Sequence, residues 1–162
     1  MFPDRIRNLA LLTMDEAMER RVKIATAESC TGGLIAALFT EFAGSSKVLE
    51  RGAVTYSYSA KAEGLGVAGD VIADYGAVSE PVARLMAEGA MEQSRANLAI
   101  AVTGIAGPGG GTPMKPVGTV HLACARENKA MIHEMLTLGD IGRHEIRMAT
   151  VEAALNMIKT QI

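Results

Sequence analysis

The sequence predicts an α/β fold, a three-layer α/β/α sandwich around a mixed, mostly parallel sheet, and three observations carry that prediction. Short apolar runs of strand length, such as LAIAVTG at 98–104, are interleaved along the whole chain with longer stretches whose apolar residues recur at three and four. Glycine-rich loops follow two of those runs, at 29–33 and 103–118, as they do at the carboxyl ends of strands in such folds. With 162 residues, 49% of them hydrophobic, the chain suffices for one core and is short for two, so residues 1–162 are read as a single domain.

Each element has its own justification. Residues 5–20 carry Ile6, Leu9, Ala10, Leu12 and Met18 among Arg and Glu, the pattern of an amphipathic helix. Residues 22–28 read as a buried strand, 32–43 as a second helix and GAVTYSYS at 52–59 as a second strand. A third helix is expected over 79–94, with Ser79 as its cap and Pro81 in its first turn. LAIAVTG is short, apolar and glycine-terminated, hence a buried strand. VGTVHLACA at 117–125 and MIHEMLTL at 131–138 flank the polar ENKA, which predicts a hairpin. RHEIRMATVEAALNMIKTQI closes the chain as a long amphipathic helix. Helices before, between and after the strands imply that both sheet faces are covered. The scattered methionines fit gap-filling core positions.

Composition narrows the partners. Sixteen Lys and Arg against 18 Asp and Glu leave a formal charge of −2, with no basic run, so no nucleic-acid partner is expected. No apolar run reaches the length of a membrane span, and the first residues mix charges into their apolar pattern, so no membrane association is expected and a cytoplasmic location is. Cys30 and Cys124 lack the spacing of a zinc site or disulfide framework, and His121, His133 and His144 form no metal-ligand or Ser-His-Asp pattern; no metal is predicted. The apolar helices are compatible with a homo-oligomer.

The chemistry concentrates at the glycine-marked breaks. In ESCTGG, Ser29 stands at a strand end with backbone N–H groups of a helix N-terminus close by, the geometry an oxyanion needs. The competing reading makes Ser29 or Thr31 simply the N-cap of the following helix. Cys30 is a rival nucleophile, but if Ser29 faces a pocket its neighbour on an extended chain points the other way, into the core. Lys61, in YSYSAK, is the candidate base if desolvation or positive surroundings lower its pKa; on spacing alone it reads equally as a surface lysine. The loop TGIAGPGGGTPMKPVG is neither a P-loop nor a Rossmann fingerprint, though its glycines would let backbone approach an anion.

The blocks AESCTGGLIAALFT, AGSS at 43–46, GAVTYSYSAKAEGLGV, YGAVSEPVARLMAEGA and AVTGIAGPGGGTPMKPVGTV resemble, in order and over nearly the whole chain, the CinA C-terminal domain family of nicotinamide-nucleotide amidohydrolases. The resemblance implies hydrolysis of the carboxamide of nicotinamide mononucleotide to nicotinate mononucleotide and ammonia, in pyridine nucleotide recycling, with no metal or organic cofactor. It implies Ser29 as nucleophile and Tyr56 and Lys61 as its activators. It further implies a substrate site formed by Cys30, Thr31, Gly32, Gly33, Ser46, Thr103, Gly104, Gly107 and Arg143. The family's late G-D-R segment reads GDIGR here, two residues longer; Tyr58 and Ser59 replace the usual Asn-Glu, and Asn97 stands where aspartate is common. A catalytically silent nucleotide-binding or regulatory domain, and an amidase for a different amide, are the alternative functions.

Overall fold

The computed structural model describes residues 1–162. In chain order it contains α1 (Asp4–Glu19), β1 (Ile24–Glu28), α2 (Leu34–Thr40), a 3-10 turn at Ser45–Lys47, β2 (Leu49–Val54), α3 (Tyr58–Leu65), α4 (Gly69–Tyr75) and α5 (Glu80–Glu92). Then come β3 (Leu98–Gly104), β4 (Thr119–Arg126), β5 (Ile132–Thr137) and α6 (Arg143–Gln161). The strands form one sheet in the order β2-β1-β3-β4-β5. β1 pairs in parallel with both β2 and β3, β4 is antiparallel to β3, and β5 is antiparallel to β4, so β4 alone runs against the rest. The sheet is mixed and covered by helices on both faces, the fold class expected from the sequence. No helix is long and apolar enough to cross a membrane.

Strand alternation divides the interior into two unlike halves. Ile24, Leu98, Ile100, Val102, Val120, Leu122 and Cys124 pack against α1, α2 and α6. Their neighbours Ala25, Ala27, Ala99, Ala101, Ala123 and Ala125 meet α5 and the ends of α3 and α4. Alanine leaves little volume on that face, so α5 lies close to the sheet, and α3 must in turn lie close to α5. At that contact Gly89 of α5 is obligatory, because a Cβ there would sit 1.9 Å from the carbonyl oxygen of Leu65. The backbone of α3 is thereby pinned from below.

The elements differ from expectation in three places. The run read as a strand over 52–59 ends at Val54, and Tyr58 already begins α3, because the Ser57 side chain accepts from the Ala60 N–H and caps a helix inside the alternating YSYS pattern. The helix expected over 32–43 is confined to Leu34–Thr40, with Gly32 and Gly33 both at positive φ. The short α4 had no counterpart in the sequence reading. Asn97 has a structural role at the end of the sheet remote from the glycine loops: its Oδ1 accepts from the Lys23 N–H at 2.8 Å and its carbonyl from Arg126 at 2.8 Å.

Gly89→Ala forces backbone to separate from backbone, so it is expected to lower the unfolding free energy by ~3 kcal/mol, the upper range for overpacking. Urea denaturation measures this, and a loss below about 1 kcal/mol would show that α3 is not held as described.

Candidate active site

The site forms where β1 and β3 end side by side. The ladder runs one residue past β1, with the Ser29 N–H donating to Val102 O at 3.0 Å, so Ser29 lies next to Thr103. Following Ala25 and Ala27, Ser29 falls on the α5 face, whereas Cys30 joins the core on the α6 face. Burial pushes the Cys30 thiol up to about 11; its own backbone N–H is the largest opposing influence, Glu28 adds to the rise, and the Thr31 N–H and Arg147 pull it down less. A buried thiol that keeps its proton is a poor nucleophile. Burial and the raised thiol pKa thus weigh against Cys30.

Lys61 reaches Ser29 from α3. Its side chain is 1% exposed, and Nζ lies 3.1 Å from Ser29 Oγ, 2.7 Å from Thr55 O and 3.4 Å from Tyr56 O. Desolvation holds its pKa below the ordinary lysine value, opposed only by the charge of Cys30 were that thiol ionised. Nζ can donate to all three oxygens; once neutral it would keep two N–H groups for the two carbonyls, which only accept, and turn its lone pair to the Ser29 hydroxyl proton. Lys61 is not the surface lysine that spacing alone also allowed.

A residue missed in the sequence holds the loop in place. The carboxylate of Glu28, completely buried, accepts from Thr26 Oγ1 at 3.1 Å, Thr31 Oγ1 at 2.7 Å and the N–H groups of Gly33, Ile35 and Ala36 at 3.1, 3.0 and 2.9 Å. It, and neither Ser29 nor Thr31, caps α2. The signal was an acidic residue closing a run of buried strand residues just before the helix. The expectation that α2 offers its first N–H groups to an oxyanion is corrected accordingly, since Glu28 uses them. The Leu34 N–H goes to Thr31 O and that of Gly32 to Ser29 O, which leaves only those of Cys30 and Thr31 without an oxygen acceptor.

Other expected site residues are placed differently. Tyr56 is exposed in the turn before α3; its hydroxyl accepts from Arg143 Nη2 at 3.0 Å, and only its carbonyl faces Lys61. No hydrogen bond joins its phenol to Ser29 or Lys61. Arg143 also donates to Gly107 O at 2.8 Å, tying the start of α6 to the glycine-rich loop. Thr103 donates to Ala77 O at 2.8 Å, and Gly104 packs where a Cβ would approach Cys30 Sγ to 3.1 Å. Thr31 is turned inward onto Glu28, and Gly32 and Gly33 shape the loop backbone. Ser46 is not part of the site: its carbonyl accepts from Lys23 Nζ at 3.2 Å, before β1 begins, at the opposite end of the strand from Ser29.

Beside this cluster runs a groove of about 190 Å³ bounded by Tyr58, Gly76, Ala77, Ile105, Thr112 and Lys115. Thr103 links its floor, Ala77, to the strand next to Ser29. Lys115 is its one cation, with Nζ 2.6 Å from Tyr75 O and packed over Gly76, where a Cβ would lie 2.9 Å away. A larger groove of about 440 Å³ between α3 and α4 is apolar and holds none of the reactive groups. The histidines form a pair of their own: His121, the cross-strand partner of Thr103 on β4, has Nδ1 3.0 Å from His133 Nε2, and burial lowers both pKa values.

Residues 6–162 match the CinA C-terminal domain family. The chain is 51% identical over 151 residues to a CinA-like protein of Syntrophus aciditrophicus, covering 93% of this chain and 34% of that protein. It spans about a third of the length of the curated relatives it matches. The crystal structure of competence/damage inducible protein CihA from Agrobacterium tumefaciens superposes with a TM-score of 0.97 at 51% identity, over 99% of this chain and 98% of that one. A CinA superfamily protein from Escherichia coli gives 0.91 at 30% identity, over 100% and 94%.

Burial of Lys61 has a cost with a definite sign. Its folded-state pKa lies below the unfolded value of about 10.4, so the unfolded chain binds more protons between the two and stability rises with pH there. Lys61→Met is therefore expected to melt higher than the native protein at pH 7, and the gap should narrow as pH approaches 10; an equal or lower Tm at pH 7 would contradict it. Glu28→Gln puts an NH2 among five donors and is expected to cost ~3 kcal/mol in urea denaturation. A loss under about 1 kcal/mol would deny the carboxylate its structural role.

Proposed function

The chain belongs to the CinA C-terminal domain family, and we propose that it is an amidohydrolase that converts nicotinamide mononucleotide to nicotinate mononucleotide and ammonia. The observation that carries this reading is the buried Lys61 Nζ, 3.1 Å from Ser29 Oγ and bonded otherwise only to backbone carbonyls. Neutral Lys61 accepts the Ser29 proton as Oγ attacks the carboxamide carbon. The oxygen of the tetrahedral intermediate takes the negative charge and is met by the Cys30 and Thr31 N–H groups. Collapse expels ammonia with the proton returned by Lys61, leaving an ester on Ser29. Water, deprotonated by Lys61, attacks that ester, the bond to Ser29 Oγ breaks as Lys61 returns the proton to it, and the carboxylate leaves.

Recognition of the phosphate falls to the groove. Arg143, the residue the resemblance suggests, gives two of its five N–H groups to Gly107 O and Tyr56 OH and does not line the groove. Lys115 spends one proton on Tyr75 O and keeps two for an anion. The remaining part of Arg143's task is to hold Tyr56 and the glycine-rich loop together at the rim.

Ammonia release from nicotinamide mononucleotide tests the reaction. The native protein is expected to turn over and Ser29→Ala to lose at least a thousandfold while still binding the nucleotide; no release by the native protein would leave a binding or regulatory module. Lys115→Ala is expected to raise KM for the mononucleotide at least tenfold and to spare nicotinamide riboside, which lacks the phosphate, whereas Arg143→Ala should affect both substrates alike. The reverse pattern would return the phosphate to Arg143.

A further inference from the structure

Two N–H groups at the nucleophile have no oxygen to bond, although Cys30 and Thr31 are buried. Apart from the weak sulfur acceptor of Cys30 beside them, nothing in the protein meets them. Buried backbone donors left this way are uncommon, and near a nucleophile they mark the place of an incoming oxygen. What aims them is a third element. Arg147, from the second turn of α6, donates from Nε to Cys30 O at 3.1 Å and from Nη2 to Thr31 O at 2.9 Å. No carboxylate pairs with this guanidinium, which packs beside Gly32.

The planar trans peptide turns these two bonds into orientation. In each peptide the carbonyl of one residue and the N–H of the next point opposite ways. Holding Cys30 O toward Arg147 therefore aims the Thr31 N–H away from that guanidinium. Holding Thr31 O orients the Gly32 N–H, which bonds Ser29 O at 3.0 Å. That bond fixes the Ser29 carbonyl and with it the Cys30 N–H. One guanidinium thus sets both donors, and its fork matches two adjacent carbonyls in a way an ammonium cannot.

From this we infer that Arg147 is a positioning residue of the oxyanion site, acting through the Cys30 and Thr31 peptides on the tetrahedral intermediate formed at Ser29. The inference rests on the serine acylation proposed above but not on the identity of the amide. Its charge also polarises the two peptides, which strengthens their N–H groups as donors.

The test uses p-nitrophenyl acetate, an ester that acylates an activated serine without any nucleotide. Ser29 Oγ bonds the acetyl carbon, its proton passes to Lys61, and p-nitrophenolate leaves. Folded Arg147→Lys and Arg147→Gln are expected to slow the p-nitrophenolate burst about a hundredfold, the scale of losing an oxyanion donor, with the pH at half-maximal rate unchanged because Lys61 is untouched. Millimolar guanidine should partly restore the burst in Arg147→Ala. A burst within threefold of native in folded Arg147→Lys would overturn the role, as would a native Ser29 that is not acylated at all. Should the variants fail to fold, the native protein still decides: on adduct formation with phenylboronic acid, the Cys30 and Thr31 amide protons should move downfield far more than those of Gly33, Ile35 and Ala36, and unmoved resonances would overturn the inference. Failure of the substrate reading looks different, as an intact burst without ammonia from nicotinamide mononucleotide.

Discussion

The Glu28 carboxylate, buried without a cation beside it and bonded by five donors, is what the nucleophile loop depends on. A charge taken out of water is tolerated only when its oxygens are fully served, and here the first N–H groups of α2 and two threonine hydroxyls serve them. The consequence reaches past stability. By absorbing the donors of the helix N-terminus, Glu28 leaves only the Cys30 and Thr31 N–H groups for chemistry, and by drawing Thr31 inward it fixes the turn that presents Ser29. Arg147 secures the same turn from its carbonyl side. The loop is clamped by opposite charges acting on opposite backbone groups.

A second constraint is the unequal filling of the two sheet faces. Large aliphatic residues support α1, α2 and α6, whereas alanines bring α5 near the sheet, and Gly89 then brings α3 onto α5. Lys61 rides on α3. Its head is delivered to Ser29 through close packing of small residues, so its desolvation and its alignment have one cause. The arrangement sacrifices stability for reactivity, since an apolar side chain at position 61 would fit the burial better than an amine does.

Much of this was legible in the sequence wherever a short-range period carries the information. The buried strands, the hairpin and the opposite aim of Ser29 and Cys30 follow from the two-residue alternation of extended chain, and the Ser79 cap with Pro81 was written locally. YSYSAK misled because an alternating pattern and a helix cap use the same residues; only the Ser57 side chain bonding Ala60 N–H separates them. Glu28 was passed over because its partners are mostly backbone atoms, which leave no mark in a motif. Arg147 meets the loop from more than a hundred residues away, and Ser46 was drawn into the site by sequence block although it lies at the wrong end of β1. Tyr56 kept its place in the chain but turns its phenol toward Arg143.

The proposed reaction turns on one chemical statement, that Lys61 is neutral when it takes the proton of Ser29. The rate of Ser29 acylation against pH tests it most directly, compared between the native protein and Lys61→Arg, with folding verified by circular dichroism. The account predicts a native rate that rises to a plateau with an apparent pKa below the ordinary lysine value, and no measurable rate at any accessible pH for Lys61→Arg, whose guanidinium keeps its proton. An arginine variant that retains a tenth or more of the native rate would contradict it, for position 61 would then be acting as a fixed cation rather than as a base.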